Sequence, residues 1–600
     1  MLYPKGSGVA GNPIVIDAYG TGNLPLINGQ GKYYNVLKND RVDAAVYLNN
    51  SSYVTIKNLE VTNEIPDTLQ HTIPYDFSSV ADRSGIHVDG SVAGTLTGIT
   101  ISNCVVHHVA SNGNATEHAR MAGINVWARS WNTSFTNVLI EQNQIYTTGS
   151  AGINVNAESY AGAATGVVIQ NNYLSDIGGD GILVNACTAP LVQYNVVAGS
   201  HYRSTLACVA IWAFQSTNAL FQYNEAYNTQ TTNDGQSFDC DYKSTGTTFQ
   251  YNYGHDNVGG FMLICNEGSN ANDGSIVRYN IGQNNGSKVF TLWNKITNSK
   301  IYNNVIYVPS GTSYPMIWSG TNCGMYPDNT QFYNNILYNL GSCGYTLAGL
   351  TNTVFDYNIF YGNHHSSEPA DAHKLTADPL FVSPGGAGVG LSSCDSYKIR
   401  AGSPAIGSGM VIGNNGGKDF WGNAVSDTAA PNRGAYNGVP VGTTTTTTTT
   451  PAPTTTATTP STTAGALSNV ASGKTATVSN IRNGSNLAKI TDGVKNSTSQ
   501  RQDLPTGEQW VTVDLGQTYN VGRLDMYYET HPPSYTIYPS TDGSTWTQRK
   551  DAPAASTMSG YPGLLSDTFT AASCRYVKIA FHATASQYGY GVCEMEVYYQ

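Results

Sequence analysis

Apolar and polar positions alternate with a period of two along the chain up to about Asn358, in short runs punctuated by glycine and asparagine. One family of runs ends in asparagine. Its members include Glu141-Gln142-Asn143, Gln170-Asn171-Asn172, Gln193-Tyr194-Asn195, Gln222-Tyr223-Asn224, Gln250-Tyr251-Asn252, Tyr302-Asn303-Asn304 and Phe355-Asp356-Tyr357-Asn358, with Asn58 and Asn103 as earlier members. From Asn143 to Asn358 the steps between final asparagines are 29, 23, 29, 28, 28, 24, 31 and 23 residues. A second family runs in phase: Gly85-Ile86-His87-Val88-Asp89, Gly123-Ile124-Asn125-Val126-Trp127, Gly152-Ile153-Asn154-Val155-Asn156, Gly181-Ile182-Leu183-Val184-Asn185, Ala210-Ile211-Trp212-Ala213-Phe214, then the runs around Asp239 and Phe261.

Period two sends successive side chains to opposite faces of a strand. Near-equal steps stack equivalent residues on successive coils, each coil hydrogen-bonding to its neighbours around a continuous core of Ile, Val and Phe. The expectation is an all-β, parallel β-helix, right-handed by the usual hand of parallel connections. Its turn asparagines are expected to take left-handed φ and to stack their amides along the axis.

The pattern breaks at Thr443–Thr463, a tract of Thr, Pro and Ala that opens with eight consecutive threonines. Such a segment buries no core and reads as an extended, O-glycosylated stalk. Alternation returns in Trp510–Gly516, Val521–Tyr528, Tyr535–Tyr538 and Arg575–Ile579. Three segments follow: residues 1–440 as a β-helix, 441–464 as a linker, and 465–600 as a β-sandwich.

Composition agrees with an all-β chain. The sequence has 63 Gly and 40 Tyr, and only 12% of its residues are charged, so it is poor in the residues that fill surface helices. A net charge of -11 argues against nucleic acid or an anionic membrane as partner. No apolar run is long enough to span a bilayer. The ten cysteines contain no Cys-x-x-Cys pair, which leaves zinc and redox motifs without support. Sequons at Asn50, Asn114, Asn132, Asn285, Asn483 and Asn496 fit a secreted glycoprotein, expected to be a monomer, whose leader lies upstream of Met1.

The segment Ala10–Gly22 resembles the first coils of the right-handed parallel β-helix enzymes of the pectin-lyase type. Ala377–Phe381, Ala401–Ile406 and Gly434–Tyr436 look like their closing coils. The resemblance covers about residues 1 to 440, and implies the fold more than the reaction, because that scaffold carries both hydrolases and lyases. The C-terminal segment resembles the discoidin, or coagulation-factor C-terminal, fold shared with family 32 carbohydrate-binding modules. The matching residues are Trp510–Gly516, Ser540–Trp546, Arg575–Ile579 and Glu594–Tyr598. That resemblance implies glycan binding and a structural Ca2+ at Asp492 and Glu596, since carboxylate oxygens suit calcium. Tyr528, His531, Tyr561 and Tyr588 are the aromatic residues expected to stack on sugar there.

In Ser237-Phe238-Asp239-Cys240-Asp241-Tyr242-Lys243, Phe238 and Cys240 share one face and Asp239 and Asp241 the other. Two neighbouring carboxylates cost stability, and acid/base chemistry on a glycosidic bond is a reason to keep them. Asp239 and Asp241 are therefore the first catalytic candidates, with Asp256, Glu267 and Asp180 as further acids. His87, Asn125, Trp127, Asn154, Trp212, Phe214 and Tyr242 are expected to line a groove that binds sugar through amides and aromatic faces. The expected function is a secreted polysaccharide hydrolase. The alternatives are a calcium-assisted lyase using Asp239, Asp241 and Lys243, with Arg203 as another basic candidate, or a glycan-binding adhesin without turnover.

Overall fold

In the computed structural model the chain divides into two compact units, Met1–Thr446 and Thr447–Gln600. The structure describes all residues except 21, 31–42, 65–82, 112–120, 131, 157–163, 269–271, 443–468, 480–486, 492–501, 505–508, 529–533, 553–562, 583–589 and 600. The expected linker therefore lies almost wholly outside the described residues.

The first unit is built from three parallel sheets of 13, 12 and 11 strands. Each coil gives one strand to each sheet in turn. The first sheet runs from Ile14–Ile16 to Val354–Asp356, the second from Leu26–Asn28 to Ile359–Gly362, and the third from Asp43–Asn49 to Tyr345–Thr346. Every neighbouring pair is parallel, as in Trp212↔Asp239 and Asp239↔Leu263. This is the parallel β-helix that the periodicity predicts.

Inward Ile, Val and Phe form one core along the axis, in which Phe221 stacks on Phe249 at 4.4 Å and Phe332 on Phe355 at 4.5 Å. At the turn between the first two sheets the asparagines form a continuous ladder. Asn143 Nδ2 donates to Asn172 Oδ1 at 3.0 Å, and the series continues through Asn195, Asn224, Asn252, Asn280, Asn304 and Asn335 to Asn358. Asp371 ends it by accepting from Asn358 at 3.0 Å. Each ladder amide also donates to a main-chain carbonyl, as Asn224 does to Val192 at 2.9 Å, so the buried turn is satisfied from within.

The left-handed position is not the ladder asparagine but the residue before it: Gln142, Asn171, Tyr194, Tyr223, Tyr251, Tyr279, Asn303, Asn334 and Tyr357 all have positive φ. Asn58 and Asn103 have positive φ as well. They therefore stand one place early, and Leu59 and Cys104 occupy the ladder position in those coils. The amide that bonds along the axis and the residue that makes the bend are separate, because the ladder needs the side chain turned inward.

The segment after Gly362 does not simply add coils. Residues Phe381, Tyr397, Ile399, Phe420 and Ala435 pack with Tyr251, Tyr253, Tyr279, Tyr302 and Ile336 in a second cluster. Gly390 N donates to Glu225 Oε1 at 2.6 Å and Tyr397 Oη to Gln283 Oε1 at 2.6 Å. The second unit is an antiparallel β assembly in which Gln509–Tyr528 pairs with Gly563–Phe581 and Tyr590–Tyr599. Val511, Val513, Leu524, Met526, Val577, Ile579 and Met595 fill its core. All ten cysteines are free thiols, and Cys323 alone among them is exposed. Asn285 is buried at the turn between the second and third sheets, accepting from Asn257 at 3.0 Å and donating to Gly254 O at 2.8 Å, so its sequon is closed to glycosylation in the folded chain.

Candidate active site

The third sheet carries two outward columns. The first runs Tyr47, His87, Asn125, Asn154, Leu183, Trp212, Asp239, Leu263, Thr291 and Trp318. Two residues further along each strand, the second includes Asp89, Trp127, Phe214, Asp241, Cys265 and Trp293. On the strand Gly260–Cys265 the outward residues are thus Leu263 and Cys265, while Met262 and Ile264 face the core. Lining up the second strand family puts Met262 and Ile264 outward instead, and the strand, apolar on both faces, has no phase of its own to correct that.

Asp239 is only 2% exposed and Asp241 is half-buried. Cys265, on the next coil, places Sγ 2.8 Å from Asp241 Oδ1 and 3.8 and 4.0 Å from the two oxygens of Asp239. Ligand atoms of the three residues lie within 4.8 Å of one another. Tyr242 N donates to Asp241 Oδ1 at 2.6 Å. Burial, reinforced by Asp241 and Asp234, holds the Asp239 carboxyl well above its ordinary value. Burial also pushes Asp241 up to about 7, against hydrogen bonds from Cys265 and the Tyr242 amide that favour the ionised form. Among the described residues no Lys, Arg or His forms an ion pair with either carboxylate. This is the arrangement in which one proton is held between two acids at neutral pH.

Two more carboxyls approach this pair. Asp180, just before the strand Ile182–Asn185, is buried and accepts from Val209 N at 2.9 Å. Asp234, ahead of the strand Gln236–Cys240, was not singled out by its sequence context. It is half-buried and raised to about 6 by burial and by Asp180, with Lys288 acting in the opposite direction. Both Asp180 and Asp234 repel the charge on Asp241. Asp234 lies outside any alternating run, so no period-two signal marks it.

Aromatic side chains border the acids on both sides. Trp212 and Phe214, one coil earlier, lie 6.3 Å apart edge to face, and Phe214 lies 5.8 Å from Tyr242. Trp212 Nε1 is buried without a hydrogen-bond acceptor among the described residues, and so is the Thr291 hydroxyl. On later coils Trp293 stacks on Trp318 at 5.2 Å, with Lys288 Nζ 4.3 Å from the Trp318 ring. Both indoles are half-buried. They continue the columns beyond Phe261, and the step from Gly260 to Lys288 would have extended the second family to them.

Other expected site residues lie elsewhere. Asp256 follows a second-sheet strand, is exposed, and pairs with His255 Nδ1 at 2.7 Å and Asn284 at 3.1 Å. That partnering removes it from the acid group. Glu267 is exposed just past the strand Gly260–Cys265, close enough for its charge to raise the Tyr242 phenol, which burial and Asp241 raise more. His87, Asn125, Trp127 and Asn154 are buried and do not line an open groove. His87 is lowered to about 4 by burial and bonds Asn125 at 3.1 Å. Trp127, 6% exposed, lies edge-on to His87 with Arg129 5.6 Å from its ring.

In the second unit Tyr528 is 2% exposed within the core, so it packs rather than stacks on sugar. His531, Tyr561 and Tyr588 lie outside the described residues, as does Asp492. Glu596 is buried and accepts from Tyr598 Oη at 3.1 Å and Asn469 at 3.4 Å. The expected calcium pair therefore falls partly outside the described residues.

Residues 474–595 match the F5/8 type C domain. The C-terminal unit thus carries a discoidin-like domain, as its strand pattern implies. The likeness to individual proteins is partial. A lacto-N-biosidase of Bifidobacterium longum subsp. longum is 31% identical over 216 residues, which is 32% of this chain and 13% of the relative. The chain thus spans a small fraction of the curated relative it matches. Among solved structures, a GH136 lacto-N-biosidase from Eubacterium ramulus is 23% identical, covering 60% of this chain and 59% of that one with a TM-score of 0.45. A chitosan-binding module from a chitosanase/glucanase of Paenibacillus sp. IK-5 is 33% identical over 22% of this chain and 97% of that one, with a TM-score of 0.19.

Proposed function

We propose that the first unit is a glycoside hydrolase acting on a neutral or amino-sugar glycan by retention, and that the second unit binds glycan and holds the enzyme on its substrate outside the cell. The observation that carries this reading is the Asp239–Asp241 pair, one acid buried and the other half-buried, with no Lys, Arg or His side chain paired to either among the described residues, beside Trp212 and Phe214. The curated relative named a lacto-N-biosidase supports the same class of reaction. Asp239 and Asp241 each bring one oxygen to within 4.8 Å of the other, so the pair is close-set, and retention, which needs no room for a water between the acids, is the stereochemistry proposed.

In this mechanism the Asp241 carboxylate attacks the anomeric carbon, and the Asp239 carboxyl gives its proton to the departing glycosidic oxygen. A sugar–Asp241 ester forms as the C–O bond to the leaving group breaks. Asp239, now a carboxylate, then takes a proton from water. The resulting hydroxide attacks the anomeric carbon and releases Asp241. Tethering by the second unit raises the local substrate concentration without altering this chemistry.

A second assignment of the acid has its own support: Asp234 is more open than Asp239 and its value of about 6 suits a group that must give and retake a proton near neutrality. Separate Asp234→Asn and Asp239→Asn variants distinguish the two. The true acid variant loses kcat/KM on a glycoside with a poor leaving group but keeps most of it on p-nitrophenyl lacto-N-bioside, where kcat falls instead because release from Asp241 lacks its base.

The calcium-assisted lyase is less well supported. A thiol within the acid group suits soft metals better than calcium. Lys243 is exposed, and Arg203 is tied to Asp176 at 2.6 Å. An adhesin leaves the uncompensated acids without a role. Incubation with a panel of glycans decides the matter: release of reducing sugar with the original anomeric configuration supports the proposal. An unsaturated, ultraviolet-absorbing product, or no turnover on any glycan, refutes it.

A further inference from the structure

We propose that Cys265 is a positioning residue, whose thiol orients Asp241 and makes the two aspartates unequal. This rests on the hydrolase reading above and adds to it the group that divides the roles of the pair.

The geometry is one-sided. Cys265 stands on the neighbouring strand with its Sγ 2.8 Å from Asp241 Oδ1, a full ångström nearer than either oxygen of Asp239. It is 4% exposed, and burial together with the two carboxyls holds its thiol well above the usual range. A thiol so placed keeps its proton. It is then a hydrogen-bond donor, not a nucleophile or a redox centre.

One S–H proton can serve one oxygen at a time, and Asp241 receives it. With the Tyr242 amide at 2.6 Å, Asp241 has two donors on Oδ1. Asp239 has no donor nearer than 3.8 Å among the described residues. Donors to a carboxylate favour its charged form. The shared proton is thus directed to Asp239, and Asp241 is left ionised and aimed. The other titratable groups facing the pair are Asp234 and Asp180, the Tyr242 phenol, with Glu267 beyond it, and Cys240 from the inward side, while Lys288 acts on Asp234. Among the described residues the Tyr242 phenol and the Cys240 thiol donate to neither carboxylate, so neither replaces the Cys265 thiol.

A buried cysteine that only fills space is the competing explanation. Three full-length variants separate the two: Cys265→Ser keeps a donor, Cys265→Ala removes it, and Cys265→Val removes it while keeping the volume. The pH dependence of kcat/KM is measured on p-nitrophenyl lacto-N-bioside, and the carboxyl stretch is followed by infrared titration without substrate, the Asp241 band being assigned with Asp241→Asn. Loss of the donor is expected to move the Asp241 titration and the acidic limb of the rate profile upward by about one pH unit in Cys265→Ala and Cys265→Val. Cys265→Ser is expected to stay near the parent.

An unmoved Asp241 band in whichever of Ala and Val folds overturns the proposal, as does an equal shift in Ser and Val. The infrared titration reads the positioning role even if no glycoside is cleaved. Failure of hydrolysis in the parent chain therefore counts against the hydrolase reading alone.

Discussion

Two coils of the same sheet bury aspartates on the same outer face and treat them in opposite ways. Asp89 is fully buried, but Arg129 Nη2 donates to its Oδ2 and Tyr47 Oη donates to the same oxygen at 2.7 Å. Asp239 and Asp241 occupy the same two columns five coils on, where among the described residues no Lys, Arg or His pairs with them and the nearest side-chain donor is a thiol. A buried charge with its counter-ion holds a coil in place. Two acids without one store free energy that only chemistry explains. The difference separates the structural from the catalytic part of one continuous surface.

The comparison breaks most visibly if both rungs answer alike to neutralisation. Asp241→Asn is expected to lower kcat by about 10³-fold or more while raising the melting temperature at neutral pH, because it removes a carboxyl that the fold disfavours in charged form. Steady-state kinetics beside a thermal melt check both halves. Arg129→Met should do the reverse. It leaves Asp89 buried without its partner, at a cost of about 3 kcal/mol in a urea melt, with turnover per folded molecule kept.

The pH dependence of stability follows with its sign fixed. The ordinary carboxyl value is 3.8 and Asp241 is raised to about 7, so the native protein holds more protons than the unfolded chain between those limits. Stability therefore falls as pH rises from about 4 to about 7 through this group. Asp241→Asn should flatten that slope, and a parent-like slope in the variant would assign it to other groups. His255 works in the same direction at higher pH: burial opposes its charge, but Asp256 and Glu225 raise it overall. Its contribution is present below 6.5 and is lost as pH climbs past its raised value.

How much of this could be read from residues alone depends on whether a face is chemically marked. Phe238 and Cys240 against Asp239 and Asp241 gave an unambiguous phase, and the outward acids are where alternation puts them. On the next coil Met262, Leu263 and Ile264 are all apolar, so alternation carries no phase, and nothing in the sequence marks Cys265 as facing the acids. The coil repeat was legible because the ladder asparagines recur. The separation of ladder amide from left-handed bend was not, since adjacent asparagines such as Asn171 and Asn172 look alike in sequence. Asp234 sits outside any strand, and Tyr528 looks like other strand tyrosines until the sandwich closes over it. Burial of His87 and Asn154 comes from tertiary packing, to which a period of two is blind.

The asparagine ladder tests whether a polar network far from the acids is purely architectural. Asn224→Ala removes one rung and leaves Asn195 without the oxygen that accepts its side-chain and main-chain N–H groups. It should cost about 2 kcal/mol in a denaturant melt, since buried donors lose their acceptor, with kcat unchanged.

The smallest effect sharpens the contrast most, because it compares two tryptophans on one face. Trp212 is half-buried beside the acid rung with an indole N–H that meets no acceptor among the described residues, whereas Trp127 is buried against His87 and Arg129. Loss of a stacking face worth about 1 kcal/mol corresponds to a roughly fivefold change in binding. Trp212→Ala should therefore raise KM by about that factor while the melting temperature hardly moves. Trp127→Ala should lower the melting temperature and leave KM alone. If Trp127→Ala weakens binding as much as Trp212→Ala does, the early coils bind substrate after all, and the division between a structural and a catalytic stretch of the sheet fails.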